Sequence, residues 1–222
     1  MTLARWTAVD EYYGKLLMPP DAQLESALEK SNAAELPAIN VAANQGKMLM
    51  LLAQMQKAER ILEIGTLGGY STIWLARALP ANGKLITLEY EQKHADVAGE
   101  NIKTAGLSGK VEIRVGSASD TLPALVGEKC PPFDLIFIDA DKPGYADYFK
   151  WAMKLARAGT VIIADNVVRD GEVVNPNSQD ERVQGIRNFN EVVTAEKRFC
   201  ATAIQTVGSK GYDGFIIGMV TE

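Results

Sequence analysis

The chain has 222 residues, 47% hydrophobic and 23% charged, a balance that suits one globular domain and neither a fibre nor a disordered chain. A formal net charge of −5 leaves no clustered basic surface for a nucleic acid, and no apolar run approaches the length of a membrane span. Two cysteines, Cys130 and Cys200, are too few for a disulfide framework or a thiolate metal centre; with no secretory signal in Met1 to Asp10, the sequence points to a reducing, cytoplasmic setting.

Residues 1–57 read as helices, punctuated by Pro19-Pro20 and Pro37. Leu24, Ala27 and Leu28 share one helical face. Met48, Leu51, Leu52 and Met55 form a second stripe at the i, i+3, i+4, i+7 spacing, expected to pack into the core. From Arg60 onward short β-rich runs alternate with helical patterns. The runs are Ile61–Ile64, Lys84–Leu88, Val111–Val115, Asp134–Ile138 and Thr160–Ala164; Ser71–Leu79, Lys93–Ala105 and Tyr145–Ala156 read as helices between them. Tyr145, Tyr148, Phe149, Ala152, Leu155 and Ala156 make a wide apolar stripe suited to lying on a sheet. Such alternation predicts an α/β fold with a parallel sheet covered by helices on both faces. Two further strands, Phe199–Thr206 and Gly214–Val220, are joined by a glycine-rich link too short for a helical crossover, so that pair is expected to be antiparallel. The whole chain, 1–222, reads as one domain with an N-terminal helical extension (1–57) and a sheet core (58–222).

The chemistry-bearing residues gather at the predicted strand ends. After the first strand come Gly65, Gly68 and Gly69, then a helix begins; a ligand can approach such a backbone closely and meet unpaired N–H groups. The spacing is neither G-x-G-x-x-G nor a P-loop, and a tight turn packed for purely structural reasons explains these glycines equally well. Glu89 ends the next strand, where an acid accepts hydrogen bonds from ribose hydroxyls; a solvated strand-end glutamate is the alternative. Asp139 follows the fourth strand and Asp165-Asn166 the fifth, so parallel pairing brings two carboxylates and an amide oxygen to one edge. All-oxygen ligands suit a hard divalent cation such as Mg²⁺, Mn²⁺ or Ca²⁺ and not zinc. Asp141, by contrast, reads as a helix cap.

The segments ILEIGTLGGYST, LITLEYEQ, FDLIFIDADKPGY and VIIADNVVRDGEVV resemble those of the cation-dependent class I O-methyltransferases, the catechol and caffeoyl-CoA group. The resemblance runs from about Val41 to the C-terminus and is weakest over residues 1–40 and Val167–Asp180, the regions that shape the acceptor pocket in that group. It implies a Rossmann-like fold with a mostly parallel seven-stranded sheet and an antiparallel C-terminal hairpin strand. It also implies that residues 1–57 contribute a lid over donor and acceptor, that S-adenosylmethionine is the methyl donor, and that the chain forms a homodimer. Glu63, Gly65, Tyr70 and Ser71 match positions around the methionine half of the donor, Val41 the backbone that closes over the donor, Glu89 the ribose ligand, Tyr90 the ring packed on the adenine, and Ala118 the loop at the adenine edge. Asp139, Asp165 and Asn166 match the metal ligands, with Asp139 also beside the donor, and Lys142 matches the general base. The implied acceptor is a small aromatic vicinal diol or a hydroxycinnamoyl compound.

Two other classes compete. An NAD-dependent oxidoreductase conflicts with the glycine spacing, the antiparallel ending and the oxygen ligand set; the single histidine, His94, falls in a helix and reads as a surface residue. A non-catalytic S-adenosylmethionine-binding module has no need of a metal set and a base. Arg169 and Trp151 either line the acceptor pocket or simply pack.

Overall fold

The computed structural model describes residues 2–222. In chain order the elements are α1 (Leu3–Leu17), α2 (Ala22–Ala33), α3 (Ala43–Met55), β1 (Arg60–Ile64), α4 (Tyr70–Ala78), β2 (Lys84–Glu89), α5 (Gln92–Thr104), β3 (Val111–Val115), α6 (Ala118–Gly127), β4 (Phe133–Ile138), α7 (Tyr145–Leu155), β5 (Ala156–Asp165), α8 (Glu181–Ala195), β6 (Phe199–Gly208) and β7 (Gly211–Val220), with 3₁₀ turns at Lys142–Gly144 and Arg169–Val174. The strands form one sheet in the order β3-β2-β1-β4-β5-β7-β6. β1 to β5 pair in parallel, whereas β7 inserts antiparallel between β5 and β6. This is the Rossmann-like methyltransferase layout that the resemblance implied, with the antiparallel ending where the short glycine-rich link required it.

Alternation along the central strands explains the two layers. Leu62, Ile64, Ile136 and Ile138 face a core shared with α6, α7 and α8. Ile61, Leu135 and Phe137 face the opposite core, shared with α2, α3, α4 and α5. β4 is buried along its whole length, as a strand covered on both faces must be.

Several boundaries and packing expectations change. β5 starts at Ala156, so it takes the residue that periodicity assigned to the end of α7. In α3 the buried face is Gly46, Leu49 and Ala53; Met48 and Leu52 are partly buried against the same core, while Leu51 and Met55 are 43% and 72% exposed, so only half of the expected stripe packs inward. Leu28 is likewise exposed, although Leu24 and Ala27 are buried as expected. The two helices α6 and α8 carry no clear stripe in the sequence. Pro123 sits inside α6 and argues locally against a helix. α8 buries Val183, Gly185, Ile186 and Phe189, a stripe weakened by its glycine. That glycine has a tertiary reason: a Cβ at Gly185 would lie 2.4 Å from the Lys142 carbonyl oxygen and 2.7 Å from Pro143 Cα. α8 therefore presses directly on the turn that carries Lys142. Asp180 caps the helix by accepting from the Arg182 N–H at 2.8 Å.

Among the described residues, no helix is long and apolar enough to cross a membrane. Gly185→Ala should lower the urea midpoint by the equivalent of about 1–2 kcal/mol, because the backbone clash outweighs the roughly 1 kcal/mol that alanine gains in a helix. An unchanged or raised midpoint would show that α8 is not held against the Lys142 turn.

Candidate active site

The strand register sets the site. Ile64 pairs with Ile138 and Ile138 with Ala164, so the next residues, Gly65, Asp139 and Asp165, stand level at the carboxyl ends of β1, β4 and β5. β1 and β4 are also where the strand order reverses, the crevice at which open α/β sheets bind ligands. Gly65 has φ +99°, and a Cβ there would lie 2.0 Å from the Asp139 carbonyl oxygen. No other residue type fits this approach. Gly69, at φ +78°, closes the turn and leads into α4.

Two buried acids organise the donor side. Glu63 points toward α4 and accepts from Ser71 Oγ at 2.6 Å, Thr72 Oγ1 at 2.5 Å and Thr87 Oγ1 at 2.8 Å. Burial pushes its carboxyl from an ordinary 4.5 up to about 7, against the lowering effect of those hydroxyls. Glu89 reaches back to the glycine turn: its Oε2 accepts from the N–H groups of Thr66 at 3.1 Å and Leu67 at 2.8 Å. Its Oε1 accepts from Glu91 N at 3.0 Å and lies 3.3 Å from His94 Nδ1. His94 is thus half-buried against Glu89 and not the surface residue that the sequence suggested. The Gly116 N–H donates to the Glu89 carbonyl at 2.8 Å, which brings the Gly116–Ala118 turn beside the same acid. Tyr90, next in the chain, is 71% exposed. Tyr70 is buried at the start of α4, and Val41 is buried just before α3, where its carbonyl accepts from Asn40 Nδ2 at 3.0 Å. A cleft of about 210 Å³ lies between the end of α2, the Leu36–Asn40 segment and the glycine turn, lined by Leu67, Gly68 and Tyr70 but by none of the three oxygen ligands.

At the tips of β4 and β5, Asp165 is almost fully buried, and its carboxyl is held above the usual range by burial and then by the negative charge of Asp139. Asn166 adopts left-handed backbone, φ 56°, and its N–H donates to Asp165 Oδ1 at 2.8 Å. Among the described residues no three His, Cys, Asp or Glu side chains converge as metal ligands. The set here is two mutually repelling carboxylates and one carboxamide, a donor chemistry that fits a hard divalent cation.

Lys142 is buried beside them. Its Nζ donates to Asp139 Oδ1 at 3.1 Å and to the Tyr145 hydroxyl at 2.7 Å. That hydroxyl in turn lies 3.1 Å from the Ile138 carbonyl oxygen and 3.0 Å from that of Asp165, so it bridges the two strand tips. Burial, followed by the charges of Asp139 and Asp165, holds the Tyr145 phenol well above its ordinary range. Asp141 caps the 3₁₀ turn by accepting from Gly144 N at 3.2 Å, as read from the sequence, and also accepts from Tyr148 at 2.5 Å.

The structure also supplies residues that the sequence did not mark. Tyr145 was visible only as one member of an apolar stripe. Thr72, Thr87 and Gln45 gave no signal, yet Gln45 Nε2 donates to Asp165 Oδ2 at 2.6 Å. Asp213 pins the loop after β5, accepting on Oδ1 from the N–H groups of Val168 at 3.0 Å and Arg169 at 2.9 Å. Arg169 lies in that loop, 3.4 Å from Asp213 Oδ2. Trp151 packs against the α7 core with Lys154 over its ring at 3.8 Å, so it belongs to packing.

A family model described as O-methyltransferase matches residues 20–213. A catechol O-methyltransferase of Niastella koreensis is 55% identical over 213 residues, covering 96% of each chain. An O-methyltransferase of Bacillus cereus, solved in complex with SAH, superposes with a TM-score of 0.98 at 57% identity, covering 99% of this chain and 100% of that one. The O-methyltransferase TomG of Streptomyces achromogenes, involved in tomaymycin synthesis and solved with SAM, gives 0.96 at 48% identity over 100% of both chains.

Glu63 makes stability depend on pH. The native state keeps its proton up to about 7, whereas the unfolded chain releases it near 4.5, so native binds more protons across that window. Stability from this group therefore falls as pH rises from about 4.5 to about 7. In Glu63→Gln that fall should be shallower, read as urea midpoints across the same window; parallel profiles for the two proteins would contradict the assignment.

Proposed function

The chain belongs to the O-methyltransferase family, and we propose that it transfers the methyl group of S-adenosylmethionine to one hydroxyl of a small catechol-like or hydroxycinnamoyl acceptor, with a divalent cation as cofactor. S-Adenosylmethionine-dependent O-methyl transfer is the chemistry of this family, and the oxidoreductase and binding-module alternatives fall with membership in it. The observation that carries the finer reading is the level placement of Asp139 and Asp165-Asn166 beside the glycine turn, with the Lys142 amine 3.1 Å from Asp139.

In this reading Glu63, Gly65, Tyr70 and Ser71 surround the methionine half of the donor, and the Val41 backbone closes over it. Glu63 acts from below by fixing the Ser71 hydroxyl. Glu89 accepts a ribose hydroxyl on Oε1, since the Thr66 and Leu67 N–H groups already occupy Oε2; the exposed Tyr90 ring stacks on the adenine, and Ala118 borders its edge. Asp139, Asp165 and Asn166 hold the cation, with Mg²⁺ favoured and Mn²⁺ or Ca²⁺ as alternatives. When bound, that ion supplies a Lewis acid that favours ionisation of the acceptor hydroxyl, whose pKa is otherwise near that of tyrosine, about 10. Lys142 takes up the acceptor's proton, its position fixed by Asp139 and Tyr145. The acceptor oxygen then attacks the methyl carbon in line with the departing thioether sulfur, and holding the two reactants in that orientation provides much of the acceleration.

We assign the chain to a single domain with residues 1–57 as its lid, working as a homodimer in the cytoplasm. The apolar residues exposed on α1, among them Tyr12, Tyr13, Leu16 and Leu17, support a covered surface of this kind.

Turnover of catechol or caffeic acid should vanish on chelation with EDTA and return with Mg²⁺; activity that survives chelation would remove the cation from the reaction. Lys142→Ala should lower kcat by about 10²–10⁴-fold while S-adenosylhomocysteine binds as before. Undiminished turnover in that variant would exclude Lys142 as the base.

A further inference from the structure

We propose that His94 is a second ligand for the ribose of the methyl donor, accepting on Nδ1 the hydroxyl that Glu89 cannot take. The proposal rests on the reading of Glu89 as the ribose acid and adds a residue to it.

Most of the Glu89 carboxylate is occupied before a donor arrives. An ionised carboxylate offers about four acceptor positions, two on each oxygen. Oε2 accepts from the N–H groups of Thr66 at 3.1 Å and Leu67 at 2.8 Å, which fills it, and Oε1 accepts from Glu91 N at 3.0 Å. A single position on Oε1 is left. A ribose brings two adjacent hydroxyls, and a hydroxyl withdrawn from water without an acceptor costs binding energy. Glu89 therefore satisfies one hydroxyl of the pair and leaves the other.

The His94 ring stands where the second acceptor is needed. Glu91 is the N-cap of α5, and three residues on His94 faces back to the end of β2, its Nδ1 3.3 Å from Glu89 Oε1. That separation exceeds the usual N–H···O distance of about 2.9–3.0 Å, so the two side chains are neighbours and not a tight structural pair. The rest of this helical turn is engaged elsewhere: Gln92 Nε2 donates to Asp96 Oδ1 at 2.8 Å, and Lys93 is exposed. The His94 and Glu89 side chains keep 21% and 8% of their surface, and Tyr90 beside them is exposed, so neither acceptor is sealed from a ligand that approaches along Tyr90. A neutral imidazole with its proton on Nε2 presents Nδ1 as an acceptor. Oε1 and Nδ1 then offer two adjacent acceptors to two adjacent hydroxyls. With the proton on Nδ1 instead, the ring would fill the last position on Oε1, so donor binding selects the Nε2–H form.

Calorimetric titration with S-adenosylhomocysteine and with its 2′-deoxy and 3′-deoxy analogues tests this. The native protein should bind each analogue about fivefold or more weakly than the parent compound. His94→Phe, which keeps a ring and removes both nitrogens, should bind S-adenosylhomocysteine about tenfold more weakly. The analogue that lacks the hydroxyl taken by His94 should bind native and variant within about twofold of each other, while the other analogue keeps the loss of about tenfold. His94→Asn, whose Oδ1 stands in for Nδ1, should recover affinity to within about threefold of native. His94→Ala takes the place of the phenylalanine variant should that one fold poorly. The inference is overturned if the folded variant without ring nitrogens binds S-adenosylhomocysteine as the native protein does, or if His94→Asn binds as weakly as that variant. It is overturned equally if both analogues lose as much as the parent compound, the result a purely structural role would give. A native protein that does not distinguish S-adenosylhomocysteine from either analogue sinks the reading of Glu89 and this inference together.

Discussion

Asp139 and Asp165 end neighbouring parallel strands at the same level, and the repulsion between their carboxylates is the constraint around which this edge of the sheet is arranged. Every group nearby offsets part of it. Lys142 Nζ donates to Asp139, Gln45 and the Asn166 N–H donate to Asp165, and the Tyr145 hydroxyl ties the carbonyls of both strand tips together. Asn166 and Arg169 accept left-handed backbone, and Asp213 holds the strained loop by taking its N–H groups. Replacing the two acids by apolar residues would relieve the repulsion outright, so the fold alone does not require the pair.

The donor side is also negative. Glu63 and Glu89 lie within the same strand-end row, one buried under α4 and one folded back on the glycine turn. With Asp139 and Asp165 they give the crevice four carboxyl groups. A row of acids in a partly desolvated cleft attracts cationic ligands, and the sulfonium of the donor and the proposed divalent cation both suit that field. Glu63 is the more finely balanced of the two: burial holds its proton to about 7, and its hydroxyl partners work the other way. A cation arriving above it shifts that balance toward the carboxylate.

The helices supply the precision. Gly46 lets α3 sit on Trp74, Gly185 lets α8 sit on the Lys142 turn, and Gly65 lets β1 approach the Asp139 carbonyl. In each case the missing side chain is what allows two backbone-bearing elements to set a functional residue in place. The core stripe of α3 follows from the same geometry, centred on Gly46, Leu49 and Ala53 with Leu51 and Met55 turned outward.

Most of the sheet and most of the strand-end residues were legible in the sequence, because a period of two, a period of 3.6 and glycine-to-acid spacing are local signals. Those signals fixed the strands, the antiparallel ending, the glycine turn, Glu89 and the Asp139, Asp165, Asn166 set before any coordinates. They said nothing of α6 and α8, where Pro123 and Gly185 break the local pattern and tertiary contacts override it. Nor did they show that Tyr145 bridges two strand tips, that His94 meets Glu89, or that Gln45 reaches Asp165. Those contacts join residues whose chemistry is unremarkable one by one. Only strand register and helix docking bring them within hydrogen-bond distance, and a distance between segments far apart in the chain leaves no periodicity to read.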